Sequence, residues 1–139
     1  TRWAICELVV GHVSSEVAAA FCRHVAQGLL ALGAGLTGVL TDNGPEFVGH
    51  AFGRACEALG ITHQRIPPRS PNHDAVVERF HGTVLDECYR PAFHRRRFDR
   101  LADIDHVLQD FVHRYNTRRT NRGRYMKGRT PLEMLELKR

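Results

Sequence analysis

The seven residues Thr41-Asp42-Asn43-Gly44-Pro45-Glu46-Phe47 join a short apolar run to the start of a helix. The residues from Leu36 to Leu40, just before them, predict a buried strand, and the proline stands where the first turn of a helix tolerates it. Asp42 is therefore expected at the carboxyl end of a strand, which is where ligands bind in open α/β sheets. Taken alone, Asn43-Gly44 would indicate only a tight turn.

The pattern on either side of this stretch predicts alternating strands and helices. Apolar, β-prone runs favour strands, whereas apolar residues at three- and four-residue intervals favour amphipathic helices, and prolines exclude regular pairing. In chain order we first expect a strand from Trp3 to Val10, a helix capped by Ser14 or Ser15 and stopped at Gly33, and a strand from Leu36 to Leu40. A helix from Pro45 to Gly60, a strand from Ile61 to Ile66 and an extended loop from Pro67 to Asn72 should follow. The rest should be helical, with one helix from about His73, one capped by Asp99, and a last one whose capping box begins at Thr130. This order predicts a three-layer α/β arrangement.

The composition indicates a single globular domain. Of 139 residues, 42% are hydrophobic and 25% charged, which favours neither disorder nor a fibrous protein. No apolar stretch approaches the roughly 20 residues that cross a bilayer, and the start does not resemble a signal peptide, so we expect a cytoplasmic protein without membrane contact. The four cysteines lack C-x-x-C spacing and the nine histidines lack cysteine partners, which favours buried free thiols over a zinc site.

Positive charge is concentrated in the C-terminal half. Residues 1–72 hold five Lys/Arg and five Asp/Glu, whereas residues 73–139 hold 15 Lys/Arg and 10 Asp/Glu, a net charge of +5. Such a basic half suits a polyanionic partner, most simply nucleic acid.

The stretch from Tyr115 to Arg129 is the most basic part of this half. It has six positive side chains and no acidic one, with Asn116, Asn121 and Tyr125 between them, which suits phosphate contacts and some stacking. A solvated loop and helix end are the alternative. For the run Arg95-Arg96-Arg97, a solvated face and DNA contact are equally good interpretations.

Glu78 is the second carboxylate of interest, with 35 residues between it and Asp42. Asp74 lies four residues before Glu78, so the two carboxylates would face each other on a helix at a cost of a few tenths of a kcal/mol. One interpretation is a solvated first turn, stabilised by the helix dipole and by Arg79 as a counter-charge. The other is a divalent metal site, because carboxylates from a strand end and a helix are the ligands that phosphoryl-transfer chemistry requires.

Several short motifs, in a fixed order along the whole chain, resemble the integrase core of bacterial insertion-sequence transposases, which are relatives of retroviral integrases. The motifs are Thr-Asp-Asn-Gly-Pro-Glu-Phe at 41–47, Gly-Ile at 60–61, Ser-Pro at 70–71, Val-Glu-Arg-Phe at 77–80, Tyr-Asn-Thr-Arg-Arg-Thr at 115–120 and Gly-Arg-Thr-Pro-Leu-Glu at 128–133. The resemblance implies an RNase H-like three-layer fold and a catalytic triad of two aspartates and a glutamate, in which Asp42 and Glu78 are two members.

The same resemblance implies metal-dependent DNA strand cleavage and strand transfer in DNA integration. Asp42 and Glu78 would bind two Mg²⁺ (or Mn²⁺) ions, with Asp74 either a supplementary ligand or a mere substitution where the family usually carries Asn-Gly-Lys. The partners would be DNA, both element ends and target, and other transposase chains in the nucleoid of a bacterial cell. The residues expected to contact DNA are Arg79, Asn116, Arg118, Arg119, Arg122, Arg124, Lys127 and Arg129.

The family's first catalytic aspartate does not match any residue of this sequence. It is expected about 20 residues before Thr1, on the first of two strands that would complete the usual five-stranded sheet. We therefore expect residues 1–115 to form a partial catalytic core, and residues 116–139 a basic C-terminal arm with a short terminal helix. The alternative function is a non-catalytic DNA-binding or assembly remnant of a transposase.

Overall fold

A computed structural model of the chain describes residues 2–67 and 71–138 and, within them, every side chain except those of residues 71–74. These ranges contain a mixture of helices and strands, which confirms the predicted α/β class. None of their helices is long and apolar enough to cross a membrane. In chain order, the elements are α1 (Ser15–Ala31), β1 (Gly38–Thr41), α2 (Pro45–Val48), α3 (His50–Leu59), β2 (Thr62–Arg65), α4 (Pro71–Val84), a π-helical segment (Leu85–Tyr89), α5 (Arg90–Arg95), α6 (Leu101–Thr117) and α7 (Pro131–Glu136).

The chain is organised as two compact units. One is Val9–Val76, and the other comprises the described residues before Val9 and after Val76. The division at residue 115 made from the sequence remains a prediction.

The core of the Val9–Val76 unit is built around a two-stranded parallel sheet. β1 and β2 pair in register from Gly38 opposite Thr62 to Thr41 opposite Arg65. Every second side chain of a strand points to the same side of the sheet. On one side of this sheet, these side chains pack against α1 and α3. The cluster on this face consists of Ala18, Cys22, Phe52, Cys56 and Ile61, with Leu36, Val39 and Phe47 packed against it.

The helix predicted from Pro45 to Gly60 is interrupted, which is a correction to the sequence-based expectation. α2 ends at Val48 and α3 begins at His50, because Gly49 is extended, with φ −64° and ψ 150°. A Cβ on Gly49 would lie 2.5 Å from the side chain of Ser15. The Ser15 hydroxyl in turn accepts a hydrogen bond from the Phe52 N–H at 3.0 Å, so α1 caps the start of α3.

The strand predicted from Trp3 to Val10 is also wrong, since residues 2–10 have no regular secondary structure. Instead of a neighbouring strand, side chains of α6 bind this segment. Asn116 accepts from the Ala4 N–H at 2.9 Å and donates to the Ala4 carbonyl at 2.8 Å, and Gln109 donates to the Cys6 carbonyl at 3.1 Å. The apolar side chains of Cys6 and Leu8 pack on a cluster formed by Val84, Cys88, Leu108, Phe111 and Val112.

Helix boundaries agree with the sequence where a local signal sets them. Ser14 caps α1 through the Val17 N–H, and a full capping box joins Thr130 to Glu133 at the start of α7, so both predictions are confirmed.

The predicted cap of α6 is wrong. Asp99 does not cap this helix, because Arg100 occupies the cap position and pairs with Asp103 at 3.1 Å.

The proline-rich loop is shorter than predicted. α4 begins at Pro71, two residues before the expected start at His73, and proline suits a first helical position because its missing N–H would have no partner there. The part of the predicted loop at residues 68–70 lies outside the described residues.

Candidate active site

Asp42 stands directly after β1, as the sequence predicted, and its carboxylate is exposed. Its Oδ1 atom accepts a hydrogen bond from the Gly44 N–H at 2.9 Å, which closes the turn and sets the direction of the carboxylate. Pro45 then starts α2. The predicted order of strand, carboxylate, turn and helix is therefore confirmed.

The turn is attached to β2 and to the residue that follows it by three contacts. The Ile66 N–H donates to the Thr41 carbonyl at 2.8 Å, and the Asn43 side-chain amide donates to the Ile66 carbonyl at 2.9 Å. The Thr41 hydroxyl oxygen lies 2.9 Å from Nε2 of His63. Because both main-chain and side-chain atoms are bound, the Asp42 turn is held more firmly than an isolated Asn-Gly turn would be.

His63 is the functional candidate that sequence reasoning missed. In the sequence it is one of nine histidines, and no local pattern connects it to Thr41, which lies 22 residues earlier. The connection arises from the parallel register, in which His63 stands opposite Val39 and diagonally across from Thr41 on the same face. The pKa of His63 is lowered, first by burial and then by the positive charge of Arg65.

Glu78 lies on α4 with an exposed side chain, and Arg79 beside it is exposed as well. Asp42 belongs to the Val9–Val76 unit, and Glu78 belongs to the other unit. The side chain of Asp74 lies outside the described residues.

The chemistry of the Asp42 carboxylate fits a hard divalent cation. Mg²⁺ and Mn²⁺ prefer oxygen ligands, and this carboxylate is exposed and held in one direction by the Gly44 N–H. Among the described residues, no group of three or more His, Cys, Asp or Glu side chains is close enough to hold an ion. Asp42 is thus one candidate metal ligand. A complete metal site would need further ligands from other parts of the protein.

The basic stretch between α6 and α7 is a folded loop. Asn121 pairs with Arg129 in an antiparallel bridge, and the Gly128 N–H donates to the Asn121 carbonyl at 2.9 Å. Met126 anchors the loop, since only 2% of its surface is exposed. The positive residues of the loop are all exposed: Arg118, Arg119, Arg122, Arg124, Lys127 and Arg129.

Two residues predicted to contact DNA have structural partners. Asn116 is 3% exposed and both ends of its amide bind Ala4, so we leave it out of the interface proposed below. Arg119 forms an ion pair with Glu87 through two contacts of 2.8 and 3.0 Å and stacks over Tyr115 at 5.7 Å. By contrast, within the described part of the chain no ion pair is found for Arg118, Arg122 or Arg124.

Solved structures with the same architecture are retroviral integrase cores. The catalytic core domain of BIV integrase matches with a TM-score of 0.70 at 22% identity, over 94% of this chain and 76% of that chain. The HTLV-2 integrase catalytic core domain, solved in complex with magnesium in a trimeric form, matches with a TM-score of 0.62 at 21% identity, over 88% of this chain and 70% of that chain. These similarities confirm the predicted RNase H-like fold.

Sequence comparisons identify the family. The profile of the integrase core domain matches residues 59–131, and that of the TnsB C-terminal domain matches residues 17–91. Each match covers more than half of the chain, and the chain therefore belongs to the integrase core domain family. It is also 38% identical over 78 residues to the insertion element IS476 uncharacterized 39.2 kDa protein of Xanthomonas euvesicatoria. That alignment covers 56% of this chain and 21% of the relative, so the chain spans about a fifth of its length.

Proposed function

We propose that this chain supplies two of the three catalytic carboxylates in the core of a bacterial insertion-sequence transposase, which acts on DNA in the cytoplasm. Asp42 and Glu78 are these two carboxylates, and Asp74 is either a supplementary ligand or a substitution without a role in the site. The observation that carries the proposal is the Asp42 turn, which presents a fixed, exposed carboxylate at the carboxyl end of a parallel strand in a chain of the integrase core domain family. Open α/β sheets bind ligands at this edge.

The proposed reaction has two displacements at phosphodiesters. Water first attacks a phosphorus atom at the element end, which breaks the P–O bond and frees a 3′-hydroxyl. That hydroxyl then attacks a phosphodiester of the target, forming a new P–O bond and releasing a target 3′-hydroxyl. Two divalent cations, when bound, supply activation of the attacking oxygen and stabilisation of the leaving oxygen. The role of Asp42 and Glu78 is to hold carboxylate oxygens where those cations bind.

The exposed basic side chains hold the DNA in this proposal. Arg79, Arg118, Arg122, Arg124, Lys127 and Arg129 provide positive charge for the phosphates, while Arg119 contributes its charge from an ion pair with Glu87. We also propose that the protein assembles with further copies of itself on DNA. The HTLV-2 core described in a trimeric form shows that a relative of this fold can associate.

Nicking of supercoiled plasmid DNA in the presence of Mg²⁺, measured on a transposase that contains this chain together with the first catalytic aspartate, tests the catalytic proposal. Asp42→Asn and Glu78→Gln should each reduce the nicking rate by at least about a hundredfold, because removing a metal ligand removes charge stabilisation from the reaction. The matched control is Glu57→Gln, which changes an exposed glutamate on α3. Unchanged nicking in Asp42→Asn and Glu78→Gln would show that these carboxylates are not catalytic.

A non-catalytic DNA-binding module is the second candidate, favoured by the folded loop that exposes six positive side chains between residues 118 and 129. It predicts salt-sensitive DNA binding without nicking. Binding that survives in the Asp42→Asn variant, together with no Mg²⁺-dependent nicking by the unsubstituted protein, would favour this candidate over the transposase core.

A further inference from the structure

Thr41 is a polar residue buried at the end of β1, with 9% of its surface exposed. Its hydroxyl makes two contacts of 2.9 Å, one to the main-chain carbonyl of Asp42 and one to Nε2 of His63. A buried hydroxyl without partners would destabilise the fold, so these two contacts explain how Thr41 is accommodated. They also connect His63 to the residue proposed as a catalytic carboxylate.

The direction of the two hydrogen bonds follows from proton counting. A carbonyl oxygen can only accept, so the single hydroxyl proton of Thr41 goes to Asp42. The hydroxyl oxygen must then accept from the ring, and both bonds form together only when His63 carries a proton on Nε2. The result is a chain of donors from the His63 ring through the Thr41 hydroxyl to the Asp42 main chain.

The His63 ring is itself fixed by the core of its unit. It stacks edge to face on Phe52 with ring centroids 4.9 Å apart and an angle of 73°. Phe52 is 3% exposed and belongs to the cluster that also contains Cys56 and Ile61. Because close-packed cores resist displacement of their aromatic side chains, the donor on His63 has a fixed position relative to β1.

We propose that His63 is a positioning residue for Asp42, acting through the Thr41 hydroxyl. This inference rests on the proposed function, in which Asp42 is a metal ligand. The Gly44 N–H orients the carboxylate of Asp42, whereas His63 and Thr41 orient its main-chain carbonyl. With both ends bound, the ligand is presented in one conformation before a cation arrives, which lowers the cost of ordering it on binding.

Four substitutions separate the hydrogen-bond chain from simple packing. Thr41→Val has nearly the shape of threonine and removes the hydroxyl, whereas Thr41→Ser keeps it. His63→Leu removes the ring donor, whereas His63→Gln places an amide N–H near the position of Nε2. If the chain of donors matters, valine and leucine should impair the site while serine and glutamine should retain most of it. The double variant Thr41→Val/His63→Leu should behave like Thr41→Val alone, because both changes break one chain.

The readout is binding of Mn²⁺ to the protein, followed by paramagnetic broadening of the amide NMR signals of Asp42, Asn43 and Gly44. Thr41→Val and His63→Leu should raise the Mn²⁺ concentration for half-broadening by about tenfold, the lower end of the range for partners that orient a metal ligand. Thr41→Ser and His63→Gln should stay within about twofold of the unsubstituted protein. Each variant must keep the dispersed amide spectrum of a folded chain, and the near-isosteric Thr41→Val is decisive if His63→Leu unfolds.

Different results overturn different statements. If Asp42→Asn abolishes the broadening but Thr41→Val and His63→Leu leave it unchanged, the positioning role is refuted while the proposed function stands. Equal loss in all four variants would also refute it, since serine and glutamine preserve the donors. If Asp42→Asn itself leaves the broadening unchanged, Asp42 is not a metal ligand, and the proposed function and this inference both fall.

Discussion

The Asn116 side chain supplies the hydrogen bonds that a neighbouring strand would give to Ala4. It is buried, and its oxygen and nitrogen bind the Ala4 N–H and carbonyl at 2.9 and 2.8 Å. Asn116→Ala would leave two buried main-chain groups without partners, each costing about 1–3 kcal/mol. We therefore expect the free energy of unfolding, measured with urea, to fall by about 2–6 kcal/mol.

The matched control for this prediction is Gln109→Ala on the same helix. Gln109 binds the Cys6 carbonyl of the same segment at 3.1 Å, but it is exposed, so water can replace its amide. Its loss should cost less than about 1 kcal/mol. Equal effects of the two substitutions would contradict the role of burial at Asn116.

His63 should titrate below its ordinary pKa of about 6.5 in the folded protein, because burial and then Arg65 both disfavour its charged form. The sign for stability follows: the neutral ring favours folding above the unfolded pKa, and this contribution is lost as the pH falls through the folded pKa. A histidine NMR titration measures the midpoint directly. Arg65→Gln should raise it only part of the way, since burial is the larger cause.

The comparison for this titration is the same protein unfolded in urea, where the midpoint should return to about 6.5. A folded midpoint at or above the unfolded one would contradict the lowering of the His63 pKa by its partial burial and by Arg65.

Residue-scale features could be predicted from the sequence when their partners are close along the chain. Ser14 with Val17, and Thr130 with Glu133, are three residues apart, and both caps were predicted. The partners of His63 and Asn116 lie 22 and 112 residues away, so no local pattern reveals them. Asp42 was located because a strand, a turn and a helix start stand next to it.

At the scale of elements, the break between α2 and α3 shows how a tertiary contact overrides a helical pattern. The apolar periodicity from Phe47 to Leu59 fits one continuous helix, but the Ser15 side chain occupies the space beside Gly49. The strand predicted from Trp3 to Val10 does not form, for a related reason. Its residues favour a strand, yet a strand needs a neighbour, and here the side chains of α6 bind the main chain instead.

Gly49 should tolerate no side chain. In Gly49→Ala the new Cβ would stand 2.5 Å from the Ser15 side chain, so the start of α3 must shift and the free energy of unfolding should fall by about 1–3 kcal/mol. Gly53→Ala is the matched control on the same helix, because a Cβ there meets nothing within 4 Å. It should raise the free energy of unfolding by about 0.5–1 kcal/mol, the propensity difference between glycine and alanine.

Thermal or urea unfolding of both glycine variants checks this pair. A further substitution, Ser15→Gly in the Gly49→Ala background, should recover part of the loss by removing the clash, although the cap on Phe52 is lost with it. If Gly49→Ala were as stable as the unsubstituted protein, the close approach would not be what interrupts the helix.

At the scale of the whole molecule, the charge distribution is the property that relates most directly to DNA. Residues 73–139 carry the entire net charge of +5, and the exposed arginines between α6 and α7 form its densest part.

The family and the RNase H-like fold could be predicted because motifs along the whole chain occur in a fixed order. The folded loop could not, because it depends on Met126 and on the pairing of Asn121 with Arg129.

The position of the positive charge, rather than its amount, should control DNA affinity. Arg122 and Arg124 are exposed in the loop, and each phosphate contact contributes about 0.9 to the slope of log affinity against log salt. Arg122→Ala/Arg124→Ala should therefore weaken DNA binding and reduce that slope by about 1.8. Arg23→Ala/Arg54→Ala removes the same charge from exposed sites on α1 and α3 and should change the slope by less than about half as much. Fluorescence anisotropy over a range of salt concentrations measures both quantities. Equal slopes for the two double variants would show that net charge alone attracts DNA and that this loop is not its binding surface.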